Sequence, residues 1–245
     1  QRRRPRSPLR PRIRAERGAP VNLGAWQGGP EEFGARVHGG LLGRICGCML
    51  GKPVEGWRQA EIRTLAEVTG DYPMTGYFRF PDEAQQAAIQ AKGGKIFNPK
   101  SRCLTAGGFD GAVEDDDINY TTAGFGIVKN HGAAFTPIDV AAFWCAHIPL
   151  LRTCTAERVA YRNLAELIPP PASATYRNPY REFIGAQIRA DYFGFANPGR
   201  PERAAEWAWR DASISHIRNG IYGEMWVAAM YAAAYVEDDW AAVIR

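Results

Sequence analysis

Four glycines at every fourth position limit the folds open to this chain more than any other feature. They are Gly39, Gly43, Gly47 and Gly51. On a helix this spacing forms one stripe, because residues four apart are neighbours on a helix surface. Each interior glycine costs about 1 kcal/mol relative to alanine. Four therefore indicate a close approach to the backbone, by a packed helix or by a substrate. We expect a helix that is broken at Pro53 and buried against a neighbour.

Helical spacing of apolar residues continues along the rest of the chain, and no stretch alternates for long with the period-two pattern of a strand. Thr136 and Pro137, with Asp139 three residues after the threonine, have the pattern of a capped helix start. The remaining predicted helices follow the run Glu114–Asp117 or cover about 156–167, 181–192, 201–216 and 222–236. The sequence therefore predicts an all-α, single-domain orthogonal bundle.

Residues 70–113 interrupt the helical pattern, because they are rich in glycine, proline and aromatic residues. We predict one short helix there, from Glu83 to Lys92, and otherwise loop. Long loops inside compact domains are usually functional or disordered. We expect this one to cover the functional site as a lid.

The charge of the chain is unevenly distributed. The net charge is +4 over 245 residues, yet residues 1–17 alone hold eight arginines and one acid, Glu16. We expect residues 1–21 to form a disordered Arg/Pro-rich tail, with a nucleic-acid-binding arm or a transit peptide as the alternatives. Residues 22–245 then form one domain. We expect this domain to be incomplete, since the chain starts at Gln1 and ends at Arg245 within a helical pattern.

Cysteine spacing and hydropathy bear on the setting of the protein. The five cysteines are irregularly spaced, so they predict no disulfide framework and favour a reducing, cytoplasmic location. Cys46 with Cys48, and Cys145 with His147, lack the second half of a zinc site. The longest weakly charged run, residues 220–236, contains Glu224 and is short for a bilayer span. It predicts a buried helix and no membrane association.

Four adjacent acids, Glu114, Asp115, Asp116 and Asp117, precede a predicted helix. Acids at a helix N-terminus gain from the helix dipole and can cap free N–H groups. A cap needs only one acid, however, and carboxylates with water are the ligands that magnesium prefers. From the residues alone, a metal site and an over-acidic cap both remain open.

Other polar residues lie farther along the chain. Glu55 follows the Pro53 break, and alone it is typical of a surface acid. A second group combines Asp211, Ser215 and His216, but without a G-x-S-x-G elbow it predicts no nucleophilic serine. A lone histidine is more often a buried structural residue than a catalyst.

Taken together, these motifs resemble those of the ADP-ribosylglycohydrolases. The segment GRICGCMLGKPVEGW is similar to the family's glycine-rich helix followed by Gly-x-Pro-x-Glu. EDDDINYT resembles its Thr-Asp-Asp-Thr metal motif. IGAQIRADYFGFANPG and DASISHIRNG resemble its Gly-x-x-x-Arg segment and its later Ser/Thr-His. The order agrees, and the resemblance spans residues 39–236.

The resemblance implies an all-α magnesium-dependent hydrolase that cleaves an N- or O-glycosidic ADP-ribosyl bond of a modified protein or small substrate. Two Mg²⁺ ions are expected in the complete protein. The implied metal ligands are Glu114, Asp115, Asp116 and Asp117. Glu55 and Asp116 are the implied catalytic acids, and the implied substrate-binding residues are Gly185, Arg189, His216 and Asn219.

Three departures from the family pattern stand out. Cys48 replaces the aspartate of Gly-Asp-x-x-Gly, acids replace both threonines of the metal motif, and the late Asp-x-Asp motif is absent, with Asp238-Asp239-Trp240 a poor match. We therefore expect a C-terminally truncated chain. The alternative is a catalytically inactive, crystallin-like relative of the same fold. A nucleic-acid partner, bound through the arginine tail, is the third and least favoured interpretation.

Overall fold

The computed structural model describes residues 23–244, and this part of the chain contains no β-strand, only an isolated bridge between Arg79 and Ala106. Its α-helices are α1 (Pro30–Gly51), α2 (Gln59–Thr69), α3 (Glu83–Ala91), α4 (Asp116–His131), α5 (Pro137–His147), α6 (Thr155–Ala165), α7 (Ala172–Thr175), α8 (Asp191–Phe195), α9 (Pro201–Ala212), α10 (Asn219–Ala233) and α11 (Trp240–Ile244). Short 3-10 helices cover Lys52–Val54, Pro99–Leu104, Leu150–Arg152 and Ile184–Arg189. The predicted all-α class is confirmed.

The main core lies between α4, α5, α8, α9 and α10. Its largest fully buried apolar side chains include Trp144, Phe135, Phe193 and Ile127. Helices α8 and α10 pack closely at Gly194, where a Cβ atom would collide with the Cβ of Tyr231 and would lie 2.9 Å from the Ala228 carbonyl oxygen. A residue with a side chain at position 194 would therefore prevent this close packing of the two helices.

Residues 59–104 build a second, smaller core. Leu65 of α2 and Ile89 of α3 are fully buried there, together with Phe78 and Phe97. Helix α2 was not predicted, although Ile62, Leu65, Ala66 and Thr69 follow helical spacing. Phe78, Ile89 and Phe97 pack together with Leu65. The segment 70–113, predicted as a long loop, therefore has folded structure of its own. No residue of 70–113 lines the cleft described below, and a lid role stays a prediction.

The glycine stripe does not pack against a helix. Within residues 23–244, a Cβ atom added at Gly39, Gly43, Gly47 or Gly51 would meet no atom from outside its own helix within 4 Å, and Met49 is the residue of α1 that is buried. The prediction that this stripe is buried against a neighbour is therefore wrong. The alternative, close approach by a substrate, stays a prediction.

Local signals predicted some helix ends well and one helix poorly. Thr136 caps α5, with its hydroxyl accepting from the Asp139 amide at 3.4 Å and the Asp139 carboxylate accepting from the Thr136 amide at 2.7 Å. The helix predicted at 181–192 is instead the 3-10 helix Ile184–Arg189, followed by α8. Side chains three apart eclipse in a 3-10 helix. Ala186 and Arg189 accordingly both point into the interior.

The predicted tail, residues 1–21, lies outside the described residues, so its disorder and the domain boundary at 22 stay predictions. Among residues 23–244 none of the helices combines the length and apolar character needed to cross a bilayer.

Candidate metal centre and cleft

A cleft of about 720 Å³ opens beside the glycine stripe. Gly43 and Gly47 of α1 form part of its wall. The first turn of α4 lines it with Asp115, Asp116 and Asp117. The other lining residues that bear on its chemistry are Arg44, Cys48, Lys52, Glu55, Ile184 and Ile188. The cleft thus brings together the glycine helix, Glu55 and three of the four predicted metal ligands.

Asp115 begins helix α4. Its backbone is extended, with φ of −150° and ψ of 145°, and its carboxylate accepts a hydrogen bond from the Asp117 amide at 2.9 Å. This is the geometry of an N-cap aspartate. One acid therefore satisfies the cap, while Asp116 and Asp117 stand in the first turn, where the helix dipole stabilises negative charge.

Lys52 carries the basic group closest to these acids. Its ammonium forms an ion pair with the Asp115 carboxylate, which is 9% exposed. Burial would raise the pKa of Asp115, but the hydrogen bonds from Lys52 and from the Asp117 amide outweigh burial and lower the pKa. Asp115 is therefore ionised at neutral pH.

The pKa values of Asp116 and Asp117 shift in the opposite direction, upwards. Burial, together with the charges of Asp115 and Asp117, raises the pKa of Asp116 to about 6. Burial also raises the pKa of Asp117, although Arg44 acts against it. The three carboxyls repel one another, and Lys52 balances only part of their charge.

Three side chains converge closely enough to hold a metal ion. One ligand atom each from Cys48, Asp115 and Asp117 lies within 4.8 Å of the others. Burial and the neighbouring acids raise the pKa of the Cys48 thiol to about 11, so the thiol stays protonated at neutral pH. The two carboxylates, rather than the thiol, supply the charge that a hard cation needs.

Glu114 lies apart from this group. Its side chain is 51% exposed and forms a salt bridge of 2.8 Å with Arg152, and it accepts a hydrogen bond of 3.0 Å from Asn119. It lines a neighbouring cavity of about 310 Å³, which Asp116 borders as well. Asp116 therefore belongs to the walls of both cavities, whereas Glu114 faces only the second, and its metal-binding role stays a prediction.

Arg189 is the centre of a second charged group, inside the helical bundle. Its guanidinium, 1% exposed, donates to Glu157 at 2.9 Å and to Asp211 at 2.5 Å and lies 3.6 Å from Glu224. We call Arg189, Glu157, Asp211 and Glu224 the buried cluster. The guanidinium also stacks over the Trp144 ring, 5.0 Å from its centroid. Arg189 thus holds the 3-10 helix Ile184–Arg189 to α6, α9 and α10.

The other predicted substrate-binding residues lie around the buried cluster, and none of the four lines the cleft. His216 is fully buried, and its Nδ1 lies 2.8 Å from the Ser215 hydroxyl. Burial and the Arg189 charge lower the pKa of His216 to about 3, so the ring is neutral. A Cβ atom at Gly185 would collide with the Glu157 carboxylate, and Asn219 begins α10 at the surface. Their substrate-binding role stays a prediction.

Sequence reasoning missed three charged residues of these two groups. Lys52 precedes the Pro53 break, and nothing in its neighbourhood distinguishes it from a surface lysine. Glu157 sits in an ordinary polar stretch. Glu224 gave a signal, because it is the only charged residue in an apolar run of 17 residues, and an isolated acid in such a run is buried only with a partner.

One family model matches almost the whole of the described chain. The family model described as ADP-ribosylglycohydrolase matches residues 30–245. No curated protein and no solved structure shows significant similarity to the chain. The matched region includes α1, the acidic turn of α4 and the buried cluster, which is nearly all of the described structure. The chain belongs to the ADP-ribosylglycohydrolase family.

Proposed function

We propose that this protein is a magnesium-dependent hydrolase that cleaves the N- or O-glycosidic bond of an ADP-ribosyl group and releases ADP-ribose from a modified protein or a small substrate. The observation that carries the proposal is the cleft itself. Three carboxylates on one helical turn stand beside a wall that bears no side chains at its glycines. Family membership supplies the reaction class, and the cleft supplies the acids that such a reaction needs.

The acids of the cleft fit a hard divalent cation. Asp115 and Asp117 offer oxygens within 4.8 Å of each other, and Asp116 stands between them in sequence on the same turn. Magnesium is held by one or two carboxylates together with waters, and the cleft has room for both. When bound, magnesium would supply Lewis-acid polarisation and orientation of oxygen groups.

The chain's own residues have separable tasks in this proposal. Asp115 and Asp117 hold the cation. Asp116 or Glu55 takes the proton of the attacking water, since both line the cleft and Lys52 does not pair with either of them. The remaining negative charge stabilises the positive charge that develops at the anomeric carbon. The open glycine wall lets the ribose come close to the backbone of α1.

The test is a paired substitution, Asp115→Asn with Asp116→Asn, compared with Asp238→Asn and Asp239→Asn, two adjacent exposed aspartates outside the cleft. Magnesium should raise the melting temperature of the wild type and of the control, because a ligand that binds only the native state stabilises it. The cleft variant should lose this response and lose release of ADP-ribose from ADP-ribosylated protein. Full hydrolysis by the cleft variant would refute the proposal.

One observation favours a second candidate, a non-catalytic relative of the same fold. Lys52 already neutralises Asp115, and a protonated Cys48 stands beside them, so the acids have a protein-borne counter-charge. Under this alternative the wild type shows no magnesium response and no hydrolysis, while its stability is ordinary. The same calorimetric and activity measurements therefore separate the two candidates.

A further inference from the structure

Arg44 connects three walls of the cleft. It lies on α1, one residue after Gly43, and its side chain is 18% exposed. Its Nε and Nη2 atoms donate to the Asp117 carbonyl oxygen at 3.1 and 2.9 Å. Nη2 also donates to the Ile188 carbonyl oxygen at 2.6 Å. One guanidinium thus joins the glycine helix, the acidic turn of α4 and the 3-10 helix Ile184–Arg189.

The same guanidinium compensates a buried acid. Nε of Arg44 lies 3.2 Å from the carboxylate of Asp191, which is fully buried at the start of α8. Neither Asp191 oxygen has a hydrogen bond with good geometry in the described structure. Removing Arg44 would therefore leave a buried acid without its counter-ion as well as two carbonyls without their donor.

Helix α1 packs through Phe33 on the Tyr235 ring, and polar contacts hold it at the cleft. Met49 is its buried residue, and its glycine face borders the open cleft. The other charged tie to α4 is Lys52 on Asp115, which involves a proposed metal ligand and must rearrange if that ligand takes a cation. Arg44 instead binds the backbone of Asp117, so the carboxylate of Asp117 stays free.

We propose that Arg44 is a positioning residue that fixes the spacing between the glycine wall, the acidic turn and the wall formed by Ile184 and Ile188. Lysine cannot replace it, because an ammonium lacks the planar fork of donors that reaches two carbonyls and a carboxylate at once. The proposal rests on the proposed function only for its effect on catalysis. Its structural part stands on the contacts of the metal-free protein.

The test compares Arg44→Met, Arg44→Lys and the double variant Arg44→Met with Asp191→Asn. The double variant removes the uncompensated acid, so any remaining effect comes from the lost carbonyl contacts. The matched control is Arg36→Met, on the same helix, since Arg36 is exposed and contacts Glu32, the Trp26 ring and the Ala234 carbonyl oxygen, none of which lines the cleft. Amide hydrogen exchange in metal-free protein, magnesium titration calorimetry and turnover are measured for each variant well below its melting temperature.

We expect amides of residues 116–121 and 184–191 to exchange about tenfold faster in all three Arg44 variants. Local opening in the wild type has to break the Arg44 contacts, and without them its free-energy cost is lower. Residues 59–69 and the control should exchange as in the wild type. At saturating magnesium, turnover should fall about tenfold while KM changes little, as expected when reacting groups are misplaced.

Two results would overturn the proposal: wild-type exchange in Arg44→Met or in the double variant, or restoration of wild-type exchange and magnesium affinity by Arg44→Lys. A wild type without magnesium binding or hydrolysis would instead refute the proposed function, and the exchange data would still decide the role of Arg44.

Discussion

The cleft and the buried cluster each place a basic side chain among several acids, but in very different surroundings. In the cleft, Lys52 faces three aspartates, and in the buried cluster Arg189 faces Glu157, Asp211 and Glu224. At the acidic turn of α4, as in the buried cluster, one basic side chain pairs within a group of three acids. Glu55 adds a fourth acid to the cleft, and Arg44 lines it as well but pairs with Asp191 and two carbonyls. Only the cleft is open to water. Both groups have an excess of acids over basic side chains, and the comparison shows that burial decides how this excess negative charge is accommodated.

Inside the bundle, burial favours the protonated form of an acid. Burial, then the charge of Asp211, raises the pKa of Glu224 well above its ordinary value, which favours a proton on Glu224 and lowers the net negative charge of the cluster. In the cleft no such complete burial exists, and water or a cation can approach the acids. The acids of the buried cluster are thus removed from water, whereas those of the cleft keep their charge in contact with it.

Replacing Arg189 gives the largest effect that this comparison predicts. Arg189→Met should lower the free energy of unfolding by about 3–5 kcal/mol, because it leaves buried acids without their counter-ion. Arg63→Met is the control, since Arg63 is exposed and contacts Glu67 within its own helix and the exposed Tyr72 ring. Urea unfolding measures both. If Arg189→Met were no more harmful than the control, the buried cluster would not be a structural unit.

The raised pKa of Glu224 predicts that the stability of the protein depends on pH. Because its pKa is raised in the folded protein, the native state holds a proton that the unfolded state loses above its ordinary pKa. Stability should therefore fall as pH rises from that ordinary pKa to the raised one, by up to about 1.4 kcal/mol per pH unit. Glu224→Gln, which stays neutral, should flatten this dependence and become more stable relative to wild type as pH rises.

Urea unfolding between acid and alkaline pH measures that dependence, with Glu31→Gln as an exposed control. An unchanged slope in Glu224→Gln would show that Glu224 is not the residue that holds the proton.

The smallest effect is expected in the cleft. Without magnesium, Asp115→Asn with Asp116→Asn should change the free energy of unfolding by less than about 1 kcal/mol, because asparagine caps a helix as well as aspartate and a partly exposed ion pair contributes little. Thermal unfolding without metal measures it. A loss of several kcal/mol would mean that the cleft acids are structural like those of the core, and the contrast between the two groups would fail.

The sequence predicted the cleft better than the buried cluster because the signals of the cleft are local. Asp115 to Asp117 are adjacent, and the glycine helix is defined by its own spacing. Arg189 meets Glu157 and Glu224 from segments 32 and 35 residues away, and no local pattern pairs them. The sequence could not predict what the glycine stripe faces either, since a helix face without side chains is compatible with a packed helix and with an open cleft.

The bare face of α1 also limits how the cleft can be redesigned. Glycine has no side chain to shorten, so every substitution at Gly43 or Gly47 can only take volume away from the cleft. Selection for a bulkier substrate has no room to act on this wall. Ile184, Ile188 and Tyr231, which also line the cleft, can be made either larger or smaller.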